Sequence, residues 1–152
     1  MYFLHALFYM LIFTSCDTVA VGINEDNQSE ESNYSFVIGE INEQYITILY
    51  NHEGSPPNIG GFQFNIQGLE QALLLSASGG VAQENNFTLS NGENIIIGFS
   101  LAGSTIPNGS NGDTLTKLFY EGDIINTDLC INNIVISDSE GNEIPTLLIE
   151  CN

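Results

Sequence analysis

Phe62-Gln63-Phe64-Asn65-Ile66-Gln67 alternates large apolar side chains with amides. A period of two puts Phe62, Phe64 and Ile66 on one face of an extended strand and the amides on the other. Ile95-Ile96-Ile97-Gly98-Phe99-Ser100-Leu101 repeats the pattern. The expected reading is Ile95, Ile97, Phe99 and Leu101 on the core face, with Ile96, Gly98 and Ser100 on the opposite, mostly exposed face. Working outward, further strands are expected at 36–41, 45–50, 72–76, 87–90, 114–120, 131–137 and 144–150. They are separated by strong turn chemistry: Pro56-Pro57, Gly79-Gly80, Asn91-Gly92, Pro107-Asn108-Gly109, Asn111-Gly112 and Glu140-Gly141. No sustained helical period occurs after Ser35, although Leu69 to Leu75 can form one helical turn. Many short strands without crossover helices predict an all-β, antiparallel jelly-roll sandwich of about nine strands over residues 35–152.

The charge balance is lopsided. Of 152 residues, 19 are acidic and one, Lys117, is basic, for a formal net charge of -18. Nucleic-acid binding is excluded as a class, because no set of cations exists to displace phosphate counterions. Adsorption to an anionic membrane surface and any cationic clamp on phosphate fail for the same reason. Hydrophobic residues make up 43% of the chain, which is a globular composition. Carboxylates with almost nothing to pair with repel one another, so modest acidification, added salt or Ca2+ is expected to stabilise the domain.

Residues 1–16 read as an export signal. Tyr2 to Thr14 is almost wholly apolar and too short to span a bilayer. Phe13-Thr14-Ser15-Cys16 resembles a lipobox, on which Cys16 becomes the lipidated first residue of the mature chain. Phe13 stands where the usual motif has Leu, and the segment ahead of it carries only His5 as a basic group. The alternative is ordinary cleavage near Ser15 and release as a secreted protein. Residues 17–34, with Glu25, Asp26, Glu30 and Glu31, read as an acidic flexible tether. Any membrane association is therefore expected only through the N-terminal lipid, at a cell-surface or outer-membrane location.

Cys130 and Cys151 lie at equal distances from the Glu140-Gly141 turn. A simple two-residue hairpin would bring them face to face, and an exported chain meets an oxidising environment, so a disulfide is expected. Cys16 is then left unpaired, which suits lipidation.

No sequence motif for nucleophilic, zinc or nucleotide chemistry is present. His52 is the one histidine after the leader and is read as an exposed loop residue beside Glu53. Acids sit mostly in turns or the tether, and there is no Trp, so a glycosidase cleft is not expected. The expectation is no catalytic residue and no cofactor. Calcium has weak candidates in Glu121, Asp123, Asp138 and Glu140, since that ion takes oxygen ligands. No EF-hand register is present.

Several longer segments follow one another in a telling order: ITILYNHEGSPPNIGGFQFNIQGLE (46–70), ASGG (77–80), FTLSNGENIIIGFSLAGSTIPNGSNGDTLTKLFYEG (87–122) and NIVISDSEGNEIP (133–145). Together they resemble a cohesin-type domain. That pattern has a G-F-Q-F strand, a later i-i-G-F-S-L-x-G strand, a T-L-x-x-L-x-F strand after a Gly-rich loop, and a D-x-x-G-N-x-I turn before the last strand. The resemblance implies a nine-stranded jelly roll, related to carbohydrate-binding modules, that binds a dockerin-like or other surface protein without catalysis. It also implies last strands lying in opposite sheets, so that a Cys130–Cys151 bridge would staple the sandwich edge. The alternatives are a carbohydrate-binding module, for which Tyr45, Tyr50, Tyr120 and the phenylalanines are the available aromatics and a polysaccharide the partner, or a structural component of the cell surface or matrix.

Overall fold

The computed structural model describes residues 32–124 and 129–147. The expectations for the leader, Cys16, most of the tether, Cys151 and the end of the last strand fall outside those residues. Strand β3 (Gly61–Gln67) keeps the alternation of its sequence, with Phe62, Phe64 and Ile66 buried. It is central in a five-stranded sheet of order β5-β6-β3-β8-β9, with β5 at Thr88–Asn91, β6 at Ile95–Phe99, β8 at Cys130–Ser137 and β9 at Glu143–Ile144. The second sheet has order β1-β2-β7-β4, with β1 at Asn33–Ile41, β2 at Tyr45–Glu53, β7 at Asp113–Gly122 and β4 at Ala72–Ser78. Every strand pair is antiparallel. The expected antiparallel β-sandwich is thus the observed architecture, and each of the nine strands among the described residues overlaps one read from the sequence. Strand β1 starts at Asn33, so Asn33 and the fully buried Tyr34 belong to the sandwich and not to the tether.

The core is aromatic where the sheets meet. Phe36 of β1 lies edge-on to Phe62 at 5.9 Å and to Phe64 at 5.6 Å, while Phe62 stacks on Phe87 at 6.1 Å. These are favourable ring geometries in a fully desolvated layer. At one end of the sandwich Tyr34 and Tyr50 are buried side by side, donating to the carbonyls of Pro57 (3.0 Å) and Pro107 (3.2 Å). Burial pushes both hydroxyls above the usual phenol range, with Tyr50 as the second cause for Tyr34 and the Asp113 carboxylate for Tyr50, so they stay protonated donors. The Pro-rich loop is pinned there by Ile59 and Ile106, both fully buried, which exchange two backbone hydrogen bonds of 2.8 Å.

Three sequence readings need correction. The first concerns β6, whose faces are reversed: Ile96 and Gly98 point into the core and Ile97 points out. Ile96 sits opposite Phe64 and Gly98 opposite Phe62, and paired residues share a face. Gly98 is inside because the Phe62 ring lies over it; a Cβ there would fall into the ring atoms. The apolar count alone favoured the wrong face, since the inward side supplies small volume and its large partner comes from β3. Gly98→Ala is therefore expected to destabilise the domain by about 1–3 kcal/mol through overpacking, read as a lower urea midpoint. A neutral Gly98→Ala variant would show that Phe62 has room to turn aside.

The second correction concerns the helical turn expected at Leu69 to Leu75. Only its start turns, the Ala72 N–H donating to the Leu69 carbonyl at 2.9 Å; from Ala72 the segment runs in β4, where Leu74 and Ala77 are buried opposite Tyr120 and Leu118 of β7. Sheet pairing overrides a run of good helix formers. The short helix α1 lies later, at Gly80–Glu84, buries Ala82, and has the Gly79 N–H donating to the Gln83 side chain at 2.7 Å.

The third concerns the C-terminal turn, which is longer than a two-residue hairpin. Ile136 pairs with Ile144 and Ser137 with Glu143. Pairing with β8 then stops, and the chain bridges in parallel to β1: the Tyr34 N–H donates to the Pro145 carbonyl (3.1 Å) and the Leu147 N–H to the Tyr34 carbonyl (2.8 Å). The last segment thus passes from one sheet to the other.

Candidate binding surface

Strand pairing lays out the solvent face of the five-stranded sheet in rows. One row reads Ser90, Ile97, Gln63, Val135; the next reads Thr88, Phe99, Gly61, Ser137; a third holds Ile95, Asn65 and Asn132. Val135 reaches this face because β8 carries a register irregularity opposite Phe64, where Asn133 adopts a left-handed backbone with φ 50°. An extra residue in one strand turns the side chains beyond it to the other face. Ile97 is 36% exposed and Val135 47%. They flank Gln63, and Gly61 leaves a shallow depression of about 220 Å³ between Phe99 and Ser137. No ionisable side chain belongs to the row of Ser90, Ile97, Gln63 and Val135, in a chain with 19 acids; the next row meets a carboxylate only at the β9 edge, where Glu143 pairs with Ser137. The sequence reading had assigned Ile97 and Phe99 to the core, so it missed this patch. The paired register supplies the missing signal.

The opposite sheet presents a different surface. Its solvent face holds Tyr45 beside Phe119 at 5.8 Å, with the Lys117 ammonium 4.5 Å from the centre of the Tyr45 ring. The sole cation of the chain is thus held by the face of an aromatic ring. Tyr50 and Tyr120 are buried, and the Tyr120 hydroxyl donates to the Asn42 carbonyl. Of the tyrosines read as available for stacking on a sugar, only Tyr45 faces solvent, and Lys117 already covers it.

His52 lies near the end of β2 and not in a loop. It is half-buried, with its ring nitrogens 3.2 Å from the Gly54 carbonyl and 3.4 Å from the Gly109 carbonyl, and its ring edge-on to Tyr34. Its backbone is clasped by Asn111, whose side chain accepts from the His52 N–H at 2.7 Å and donates to its carbonyl at 3.2 Å. His52 therefore ties β2 to the 103–112 loop.

The four acids considered for calcium are separated. Glu121 is the next-to-last residue of β7, opposite Leu73, and Asp123 lies just past the strand, its N–H donating to the Gln71 carbonyl. Asp138 and Glu140 lie in the turn between β8 and β9. Among the described residues no three His, Cys, Asp or Glu side chains come together as a metal set. The Asp138 carboxylate is already engaged, accepting from the Glu140 N–H (2.8 Å), the Asn142 N–H (2.9 Å) and the Asn142 side-chain amide (2.9 Å). Cys130, at the start of β8, is disulfide-bonded; Cys151 lies outside the described residues.

The donors around Asp138, first the Asn142 side chain and then the Asn142 and Glu140 N–H groups, hold its carboxyl below the usual carboxylate range. A depressed folded-state pKa contributes stability that is present above the unfolded pKa and lost as pH falls through the folded one. Relief of self-repulsion has the opposite sign on acidification. The Tm is therefore expected to rise with salt at neutral pH, and to rise again as pH drops towards the carboxylate range. It should then fall below about pH 4, where the unfolded chain takes up a proton at this aspartate before the folded one does. Asp138→Asn should shallow that final fall; an identical acid limb would remove the turn from the explanation. A Tm that does not move with ionic strength would refute the self-repulsion argument.

No family model matches the chain, and no curated protein matches it. Among solved structures it is similar in architecture to a non-cellulosomal cohesin from the hyperthermophilic archaeon Archaeoglobus fulgidus. That likeness has a TM-score of 0.49 and 15% sequence identity, over 75% of this chain and 84% of that chain.

Proposed function

We propose that this chain is a non-catalytic attachment module that holds another protein against the outer face of its five-stranded sheet, outside the cell. The observation that carries the reading is the uncharged row of Ile97, Gln63 and Val135. Solvation of a chain this acidic is served by carboxylates, and this row has none; Glu143 stands at the β9 edge of the sheet. It exposes β-branched side chains around amides that can hydrogen-bond a partner. A broad, shallow, uncharged centre suits a protein surface better than a small molecule, which needs an enclosing pocket. The cohesin-type sequence pattern agrees with a dockerin-like or other surface protein as partner. The apolar leader and Cys16 agree with export and lipid anchoring. Burial of Tyr50 and Tyr120 leaves the carbohydrate reading with little to stack on.

The test uses the intact chain as bait for proteins on the surface of its own cells. An Ile97→Lys/Val135→Lys double variant, matched to wild type in Tm, should bind the captured protein at least about tenfold more weakly, as expected when charge is buried in an apolar contact. Undiminished binding by the double variant would move the site elsewhere. Retention of a soluble polysaccharide in place of any protein would favour the carbohydrate reading.

A further inference from the structure

The four-stranded sheet ends in β4, and among the described residues β4 is hydrogen-bonded to a strand, β7, on one side only, with β5 of the other sheet packed close by. An edge of this kind presents unpaired N–H and C=O groups, and natural edges are usually guarded by charge or proline. The β4 sequence ALLLSAS carries neither. It exposes Leu73 (63%) and Leu75 (51%) instead. A register irregularity between Leu74 and Ser76 makes Leu75 the extra residue, so regular pairing with a new strand is confined to the first half of β4, where the Ala72 N–H is already donated to the Leu69 carbonyl at 2.9 Å. At that same end a cleft of about 550 Å³ opens between β3, β4 and the β5–β6 turn. Leu69 and Leu73 form apolar wall, and Glu70 and Glu93 contribute carboxylates.

We propose that the first half of β4 accepts an extended segment of a partner polypeptide, with apolar side chains at alternate positions and a terminal Lys or Arg seated in this cleft. Main-chain pairing would supply affinity, and alternate side chains would meet Leu73. The long stem of a basic side chain would lie on Leu69 and Leu73 while its charge meets Glu70 and Glu93. Charge selects the occupant. A second copy of this chain carries the same net charge of -18, and residues 17–34 of the chain itself are acidic. Both are repelled from this end of the sheet, whereas a cationic segment is attracted. The β4 edge belongs to the other sheet from Ile97 and Val135, and the cleft, though walled in part by β3 and the β5–β6 turn, includes neither residue, so the proposal does not depend on the attachment face above.

The probe is a short synthetic peptide alternating valine and threonine with one terminal lysine, titrated against the full chain by fluorescence anisotropy. Saturation is expected below ~1 mM. Binding should weaken about tenfold in Leu73→Lys and in Glu70→Gln/Glu93→Gln, and should fall with salt. Ile97→Lys/Val135→Lys should leave it unchanged, so failure here and failure of the attachment face are told apart. Absence of saturation, equal binding by a glutamate-ended peptide, or equal binding by Leu73→Lys would each overturn the proposal. A concentration-dependent dimer abolished by Leu73→Lys would overturn it in favour of a second copy.

Discussion

Phe36→Ala is expected to remove about 3–5 kcal/mol of stability, a large share of what a domain of this size has. Phe36 is fully buried on β1 and sits edge-on to both Phe62 and Phe64 of the facing sheet. Truncation removes one ring from a cluster whose other members are fixed on a central strand, so the sheets have little freedom to collapse into the gap. Urea unfolding should show a lower midpoint with an unchanged slope. A loss under about 1 kcal/mol would mean that the two layers close up and that the ring contacts carry little.

Cys130→Ser should cost about 3 kcal/mol if Cys130 is joined to Cys151 as proposed, because the closed loop restricts the unfolded chain. Reduction of the wild type should reproduce the loss, and the variant should be insensitive to reductant. Peptide mapping of the oxidised protein supplies an independent check. Recovery of Cys130 linked to any residue other than Cys151, or a reductant-insensitive wild-type Tm, would discard the pairing.

The sandwich was readable in the sequence because alternation and turn residues are local signals that the tertiary structure kept. FQFNIQ has unambiguous faces, since amides never compete with phenylalanine for the core. The Ile95 to Leu101 stretch was misread for the converse reason: three consecutive isoleucines fit either face, and the deciding fact is a Phe62 ring that needs the space of Gly98. That information lies more than thirty residues away in the chain. The candidate surface was hidden by the same error, together with the irregularity at Asn133 that turns Val135 outward. Asp138 looked like a possible calcium ligand because composition shows a carboxylate but not its partners. The turn places Asn142 close enough to engage it. His52 sat in a run of turn residues, yet the β2–β7 ladder, extended by Asn111 acting as a backbone surrogate, keeps it in register.

The parallel bridge between Tyr34 and Thr146 joins nearly the first and nearly the last residues of the domain. A chain made from its N-terminus holds β1 long before Pro145 and Leu147 exist to complete its edge. The Tyr34 end of the first strand therefore gains these partners only after the other described strands have been made, so this edge of the sandwich is sealed late.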